Sequence, residues 1–104
     1  MIEEIQAAVN FLTKLIARSE SLDDHKIELL GSKFCYLLQQ RFRDHWFPED
    51  ASRGQAYRCI RINELDRRDP SLEQACSELS IKYEDLKLPI ELTIWVDPGE
   101  VACR

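Results

Sequence analysis

Apolar side chains recur every third or fourth position along the first part of the chain. Over residues 2–18 this spacing predicts an amphipathic helix, with its apolar stripe at Ile2, Ile5, Val9, Leu12 and Ile16. A second helix is predicted from Asp23 or Asp24, either of which suits an N-cap, to about Arg43. Gly31 lies within that helix, so we expect another element, most simply the first helix, to approach it closely. The short connection between the two helices predicts an antiparallel hairpin.

The rest of the chain changes to alternation and turn signals. Residues 57–62 alternate and predict a strand, with Arg58 on the same face as Ile60 and Ile62. Asp69-Pro70 predicts a helix start, with Asp as N-cap and Pro at the first position, and the helix is expected to reach about residue 79. A helical turn over 83–87, a strand over 92–97 and the opening of a strand over 101–104 follow.

This order of elements predicts a mixed α/β fold. We expect an N-terminal antiparallel helix pair packed on a small β-sheet, with a further helix between the sheet strands. At 104 residues the chain predicts one domain covering residues 1–104. No stretch is apolar enough to predict a signal peptide or a membrane span, so no membrane partner is expected.

The strand over 92–97 has two chemically different faces. Leu92, Ile94 and Val96 predict a core-facing side, whereas Trp95 and Asp97 fall on the other side. A Trp beside a carboxylate on a rigid strand suits partner docking, because Trp supplies contact area and Asp supplies orientation. If the two strands pair, Tyr57 joins them in one patch. The alternative is a Trp half covered by a helix and an Asp that begins the turn at Pro98-Gly99.

The net charge of −5 is unevenly distributed. Residues 41–68 contain seven arginines against five acidic residues, whereas the flanking segments are acidic. An acidic chain disfavours nonspecific nucleic-acid binding, so no direct nucleic-acid partner is expected. Arg58 and Arg61 are expected to pair with acids on a partner or to be solvated.

Catalytic and metal chemistry has weak support in the sequence. Cys59, His45 and an acid are residue types of a nucleophile site, but no local signature accompanies them, and no enzymatic activity is expected. The four cysteines are far apart, so a zinc site is not expected and the thiols are expected to be reduced. Asp97 and Glu100 are better explained as turn residues than as metal ligands. No cofactor is expected.

Two long motifs nevertheless resemble a known family, the BTG/Tob anti-proliferative proteins. The first motif is HWFPE at residues 45–49 followed by GQAYRCIRIN at 54–63. The second is LP at 88–89, ELTIWVDP at 91–98 and EV at 100–101. They occur in the family's order, with Asp69-Pro70 between them, and the details look closest to the third and fourth vertebrate members.

The resemblance implies a non-enzymatic adaptor. Family members bind the Caf-type deadenylase subunit of the CCR–NOT complex, promote mRNA deadenylation and decay, and restrain proliferation in the cytoplasm and nucleus. The residues that contact the deadenylase map onto Tyr57, Asp69, Trp95 and Asp97. The resemblance also implies a domain cut short here at its C-terminal hairpin. An adaptor that binds DNA-binding proteins as a transcription cofactor is the alternative, and direct RNA binding through residues 41–68 is a third.

Overall fold

The N-terminal half is a helix pair. The computed structural model describes residues 1–65 and 67–104. Helix α1 covers Ile2–Arg18 and helix α2 covers Asp24–Phe42, with Asp23 accepting a hydrogen bond from the Lys26 N–H at 2.8 Å as N-cap. A Cβ atom at Gly31 would lie 3.3 Å from Thr13 Cγ2, which confirms the close approach of the first helix. Because the chain reverses over five residues, the pair forms the predicted antiparallel hairpin.

The C-terminal half contributes a three-stranded antiparallel sheet in the order β1-β2-β3. Strand β1 covers Cys59–Ile62, β2 covers Leu92–Asp97 and β3 covers Glu100–Cys103. Ile60 pairs with Ile94, which places apolar side chains side by side on the inner face. The predicted strand over 101–104 is confirmed, and it begins one residue earlier.

The start predicted for β1 is wrong. Tyr57 and Arg58 lie in a 3-10 helix, Gln55–Arg58, and the strand begins at Cys59. The physical reason is the Arg58 side chain, which turns into the protein and bonds to carbonyl groups of the preceding loop (described below). An extended Tyr57–Arg58 segment would carry the backbone away from that loop.

A third helix connects β1 to β2. Helix α3 covers Pro70–Glu78, and Asp69 is its N-cap, as the Asp-Pro pair predicts. The predicted helical turn after it is a 3-10 helix, Tyr83–Leu86. In the residues that the structure describes, no helix is both long and apolar enough to cross a membrane.

The core lies between the helix pair and the inner face of the sheet. Leu92, Ile94 and Val96 are 6%, 0% and 0% exposed, as the alternation predicts. They join buried side chains of all three helices, among them Ile5, Leu12, Phe34, Leu38, Phe42 and Leu72. The fold is therefore the mixed α/β arrangement that the pattern predicts, and it leaves the outer face of the sheet without a helix from the pair.

Candidate functional site

Trp95 stands at the centre of the outer face of the sheet. Its cross-strand neighbours are Cys59 on β1 and Ala102 on β3. Both are small, so the half-buried indole rises above them, next to a shallow hollow of about 380 Å³ that Gln55, Cys59 and Arg61 help to line. Gln55, from the 3-10 helix Gln55–Arg58, borders the same hollow, so the indole is partly covered on that side and partly open to solvent. The outer face offers a large aromatic group to solvent, as the two-faced strand predicts.

Asp97 lies at the end of β2 with both carboxylate oxygens held. Gln55 Nε2 donates a hydrogen bond to Oδ2 at 2.9 Å, and Arg58 Nη2 donates to Oδ1 at 2.9 Å. The side chain remains 15% exposed. Asp97 is therefore more than a residue that begins a turn, because two side chains fix the direction in which its carboxylate faces.

Arg58 is fully buried, and the prediction that it is solvated or pairs with a partner's acids is wrong. Besides bonding to Asp97, its guanidinium donates to the carbonyls of Val96, His45, Arg53 and Ala51. These bonds use all five of its N–H groups. The irregular loop before β1 turns its carbonyls inward, and the arginine compensates for the burial of those carbonyls while it ties the loop to β2.

Tyr57 is the most exposed of the predicted contact residues, at 57%. Its ring stacks flat on the imidazole of His45, with ring centroids 3.9 Å apart and 9° between the planes. An exposed side chain held in one orientation loses little rotamer entropy when it meets a partner. The 3-10 helix, not a strand, presents this tyrosine.

Asp69 is buried, at 1% exposed, and its carboxylate is occupied within the chain. It accepts a hydrogen bond from the Leu72 N–H at 3.0 Å and one from Arg41 Nη1 at 3.0 Å. Arg41 also donates to the Cys59 carbonyl at 2.7 Å and to the Tyr57 carbonyl at 3.3 Å. The capping role predicted for Asp69 is confirmed. Its partly exposed neighbour is Arg41, whose role no local sequence pattern indicates.

These bonds bring the four predicted contact residues to one region. Cys59, the cross-strand partner of Trp95, shares Arg41 with Tyr57 and Asp69. Gln55 and Arg58, from the helix that carries Tyr57, bind Asp97. We call Tyr57, Trp95 and Asp97 the outer-face surface. Gln55, Arg41 and Arg58 are its supports, and the fold shows which groups each of them binds.

The nucleophile alternative gains no support from the geometry of Cys59. Burial raises the pKa of its thiol, which disfavours the thiolate that a nucleophilic cysteine needs. The His45 ring is engaged with Tyr57. Among residues 1–65 and 67–104, no cluster of three or more His, Cys, Asp or Glu is arranged to hold a metal ion.

The arginine-rich middle of the chain is largely committed to the fold. Arg41 and Arg58 bind Asp69 and Asp97, and Arg68 binds Glu73 and Glu84. Arg53 lies over the ring of Phe47, with Cζ 4.1 Å from the ring centroid. RNA binding would need such cations to be free for phosphates, so this arrangement further disfavours the RNA alternative.

Gly54 provides a test of the loop that supports the outer-face surface. It has φ +75°, and a Cβ there would lie 3.1 Å from the His45 carbonyl oxygen and 3.2 Å from Arg58 Nη1. We expect Gly54→Ala to lower the free energy of unfolding by about 2 kcal/mol, from left-handed strain plus crowding. Gly99 has φ +80° but open space around its Cβ position, so Gly99→Ala should cost only about 1 kcal/mol. Urea denaturation of the two variants separates backbone strain from steric crowding. Equal losses of unfolding free energy would contradict a contribution from crowding at Gly54.

The arrangement of three helices and a three-stranded antiparallel sheet is that of a BTG/Tob domain. The solved BTG/Tob domain of C. elegans FOG-3 matches the whole chain and 74% of that structure, with a TM-score of 0.86 at 20% identity. The model of the BTG family matches residues 1–104, and the chain belongs to that family.

Named relatives agree with this assignment. The chain is 47% identical to the rat protein BTG3 over 104 residues and covers 41% of that protein. It is 44% identical to the human protein BTG4 and covers 47% of it. The chain thus spans less than half the length of these relatives. The BTG/Tob family is known for anti-proliferative proteins.

Proposed function

We propose that this domain is a non-enzymatic adaptor that binds the Caf-type deadenylase subunit of the CCR–NOT complex. By bringing the nuclease to transcripts, it would promote mRNA deadenylation and decay and so restrain proliferation, acting in the cytoplasm and nucleus. The observation that carries the proposal is the outer-face surface, in a chain that belongs to the BTG family. An exposed aromatic group beside a fixed carboxylate is typical of a binding hot spot.

The supports explain how the surface would keep its shape. Gln55 and Arg58 orient the carboxylate of Asp97, and His45 orients the ring of Tyr57. A preformed surface avoids the entropic cost of ordering side chains when it binds. The hollow next to Trp95 gives a partner side chain a place beside the indole. In this proposal Asp69 contributes by holding Arg41, while Tyr57, Trp95 and Asp97 contact the deadenylase.

Titration of the purified deadenylase subunit tests the proposal. We expect Trp95→Ala to weaken binding by about 2 kcal/mol or more, roughly 30-fold, as for hot-spot aromatics. The variant should stay folded, because its cross-strand neighbours are small and the ring is partly exposed. Isothermal calorimetry gives the affinity, and circular dichroism checks the fold.

Thr93→Ala is the matched control, since Thr93 lies on the same face of β2 two residues away and is also half-buried. It should bind like the wild type. If the folded wild type does not bind the deadenylase, the adaptor proposal fails and the transcription-cofactor alternative takes its place. If Trp95→Ala unfolds, Trp95 belongs to the core, and the surface must be tested instead through Tyr57→Ala, whose ring is mostly exposed.

A further inference from the structure

A second surface lies at the other end of β1, away from the outer-face surface. It is a groove of about 400 Å³ between the 3-10 helix Tyr83–Leu86, the segment leading into β2 and the residues before α3. We call it the basic groove, and its lining includes Ile62, Arg67, Arg68, Tyr83, Lys87 and Ile90. Ile62 pairs with Leu92, three residues along β2 from Trp95. At the rise of a strand, the Cα atoms of Leu92 and Trp95 are roughly 10 Å apart.

The groove combines an apolar floor with positive charge. Leu88 and Pro89 contribute apolar surface, Ile62 lies beneath them at 4% exposed, and Ile90 is 64% exposed at the edge. Exposed apolar side chains grouped in a concave site mark binding surfaces more often than isolated ones do. The apolar lining gives a bound side chain somewhere to bury its surface.

The lining of the groove is positively charged, whereas the net charge of the whole chain is −5. Its lining contains Arg67, Arg68 and Lys87 against one carboxylate, Glu84, and that carboxylate is bound to Arg68. Within residues 1–65 and 67–104, no ion pair joins Arg67 or Lys87 to a carboxylate. Two cations thus remain available beside an apolar floor, which suits a partner with carboxylates on either side of an apolar side chain.

The walls of the groove are held by the fold. Leu86 is fully buried and anchors the 3-10 helix. The Tyr83 hydroxyl accepts a hydrogen bond from the Asp69 N–H at 3.3 Å, and burial raises the Tyr83 pKa to about 12. A phenol is neutral at physiological pH even at its ordinary pKa of about 10, so Tyr83 adds no negative charge to the groove. A preformed groove needs little reorganisation on binding.

We propose that the basic groove binds a short linear segment of a partner protein in which an aliphatic or aromatic residue is flanked by Asp or Glu. The apolar side chain would lie over Ile62 and Ile90, and the carboxylates would face Arg67 and Lys87. This binding does not require the deadenylase to occupy the outer-face surface. The domain would then hold two partners at once.

Selection of random dodecapeptides displayed on phage tests this proposal without a known partner. The 104-residue chain is the bait, and the double variant Arg67→Glu/Lys87→Glu is used for counter-selection. We expect enriched peptides to share an apolar residue flanked by acids. Titrated into the ¹⁵N-labelled chain, they should shift amide signals of residues 83–88 and of Ile90 and leave that of Trp95 unchanged.

Two variants with the same change in charge complete the test. Arg67→Glu/Lys87→Glu should weaken binding of the selected peptide about tenfold or more, because both cations face the ligand. Lys14→Glu/Lys26→Glu reverses two exposed lysines of the helix pair and should leave the affinity within about twofold. Equal weakening of peptide binding by both double variants would show a long-range charge effect and would overturn the proposal that the basic groove is the binding site. The absence of enrichment, or enriched peptides without acidic residues, would also overturn it.

The deadenylase titration keeps this proposal separate from the proposed function. Arg67→Glu/Lys87→Glu should bind the deadenylase subunit like the wild type, while Trp95→Ala should still bind the selected peptide. Loss of peptide binding in Trp95→Ala would place the peptide on the outer-face surface and contradict a second site. Failure of the wild type to bind the deadenylase would leave the peptide result unaffected.

Discussion

Arg58→Met is expected to lower the free energy of unfolding by about 3–5 kcal/mol, the usual result of removing one partner of a buried ion pair. Methionine keeps much of the aliphatic volume but none of the five N–H donors. The Asp97 carboxylate loses its cation, and the carbonyls of His45, Arg53, Ala51 and Val96 lose a donor. Buried polar groups without partners are costly, because water no longer solvates them. Urea denaturation at neutral pH measures the loss.

Arg43→Met is the matched control for this prediction. Arg43 is exposed and lies in the 3-10 turn Arg43–His45 that follows α2. Its replacement should change stability by no more than about 0.5 kcal/mol, as for most surface positions. The free energy of unfolding of Arg58→Lys should lie between those of the two variants, because lysine keeps the charge but has three donors and no planar guanidinium. If Arg58→Met is as stable as Arg43→Met, the buried guanidinium does not hold the loop.

Loss of the Arg58 side chain would also affect the residues that are proposed to bind the partner. Arg58 lies in the 3-10 helix that carries Tyr57 and Gln55, and it shares the Asp97 carboxylate with Gln55. A loop freed from Arg58 would lose its hold on two members of the outer-face surface. Stability and partner binding are therefore coupled at this arginine, which is why Trp95, not Arg58, is the position for a test of binding.

Local patterns were sufficient to predict most of the fold. The helical spacing over residues 2–18 and the alternation over 92–97 each report which side of an element faces the core. Both are confirmed except at Ile2, which begins α1 and is 51% exposed. The Asp-Pro start of α3 and the close approach at Gly31 depend on short-range chemistry, and the structure contains both. Features of this kind depend on residues that are close together in the chain, so they can be predicted from a single sequence.

The supports of the outer-face surface could not be predicted in the same way. Arg58 is bound by groups from residues 45 to 97, and Arg41 reaches an acid 28 positions away. No periodicity encodes partners at such distances. One signal was present for Arg58, since the alternation places it on the face shared with Ile60 and Ile62. An arginine on an apolar face is either solvated at the edge of the sheet or buried with several acceptors around its guanidinium. The carbonyls of the preceding loop provide those acceptors here, so the guanidinium is buried.

Asp69→Ala is expected to lower the free energy of unfolding by about 3 kcal/mol, from loss of an N-cap and of a largely buried ion pair. Its carboxylate caps α3 through the Leu72 N–H and binds Arg41, whose side chain is 26% exposed. Asp23→Ala removes the exposed N-cap of α2, whose side chain accepts a hydrogen bond from the Lys26 N–H. Within residues 1–65 and 67–104, Asp23 forms no ion pair. That control should cost about 1 kcal/mol. Thermal and urea denaturation of both variants isolate the Arg41 contribution as the difference.

Asp69→Asn then tests whether Asp69 only positions Arg41 or itself contacts the partner. Asparagine keeps an oxygen that can cap α3, but it removes the charge that holds Arg41 against the carbonyls of Tyr57 and Cys59. If Asp69 acts through Arg41, Arg41→Met should weaken deadenylase binding as much as Asp69→Asn does, and the double variant should add little to either. If Asp69→Asn weakens binding while Arg41→Met does not, the carboxylate itself reaches the partner. Asp69 would then have to leave its buried position on binding, and the outer-face surface would include a fourth contact.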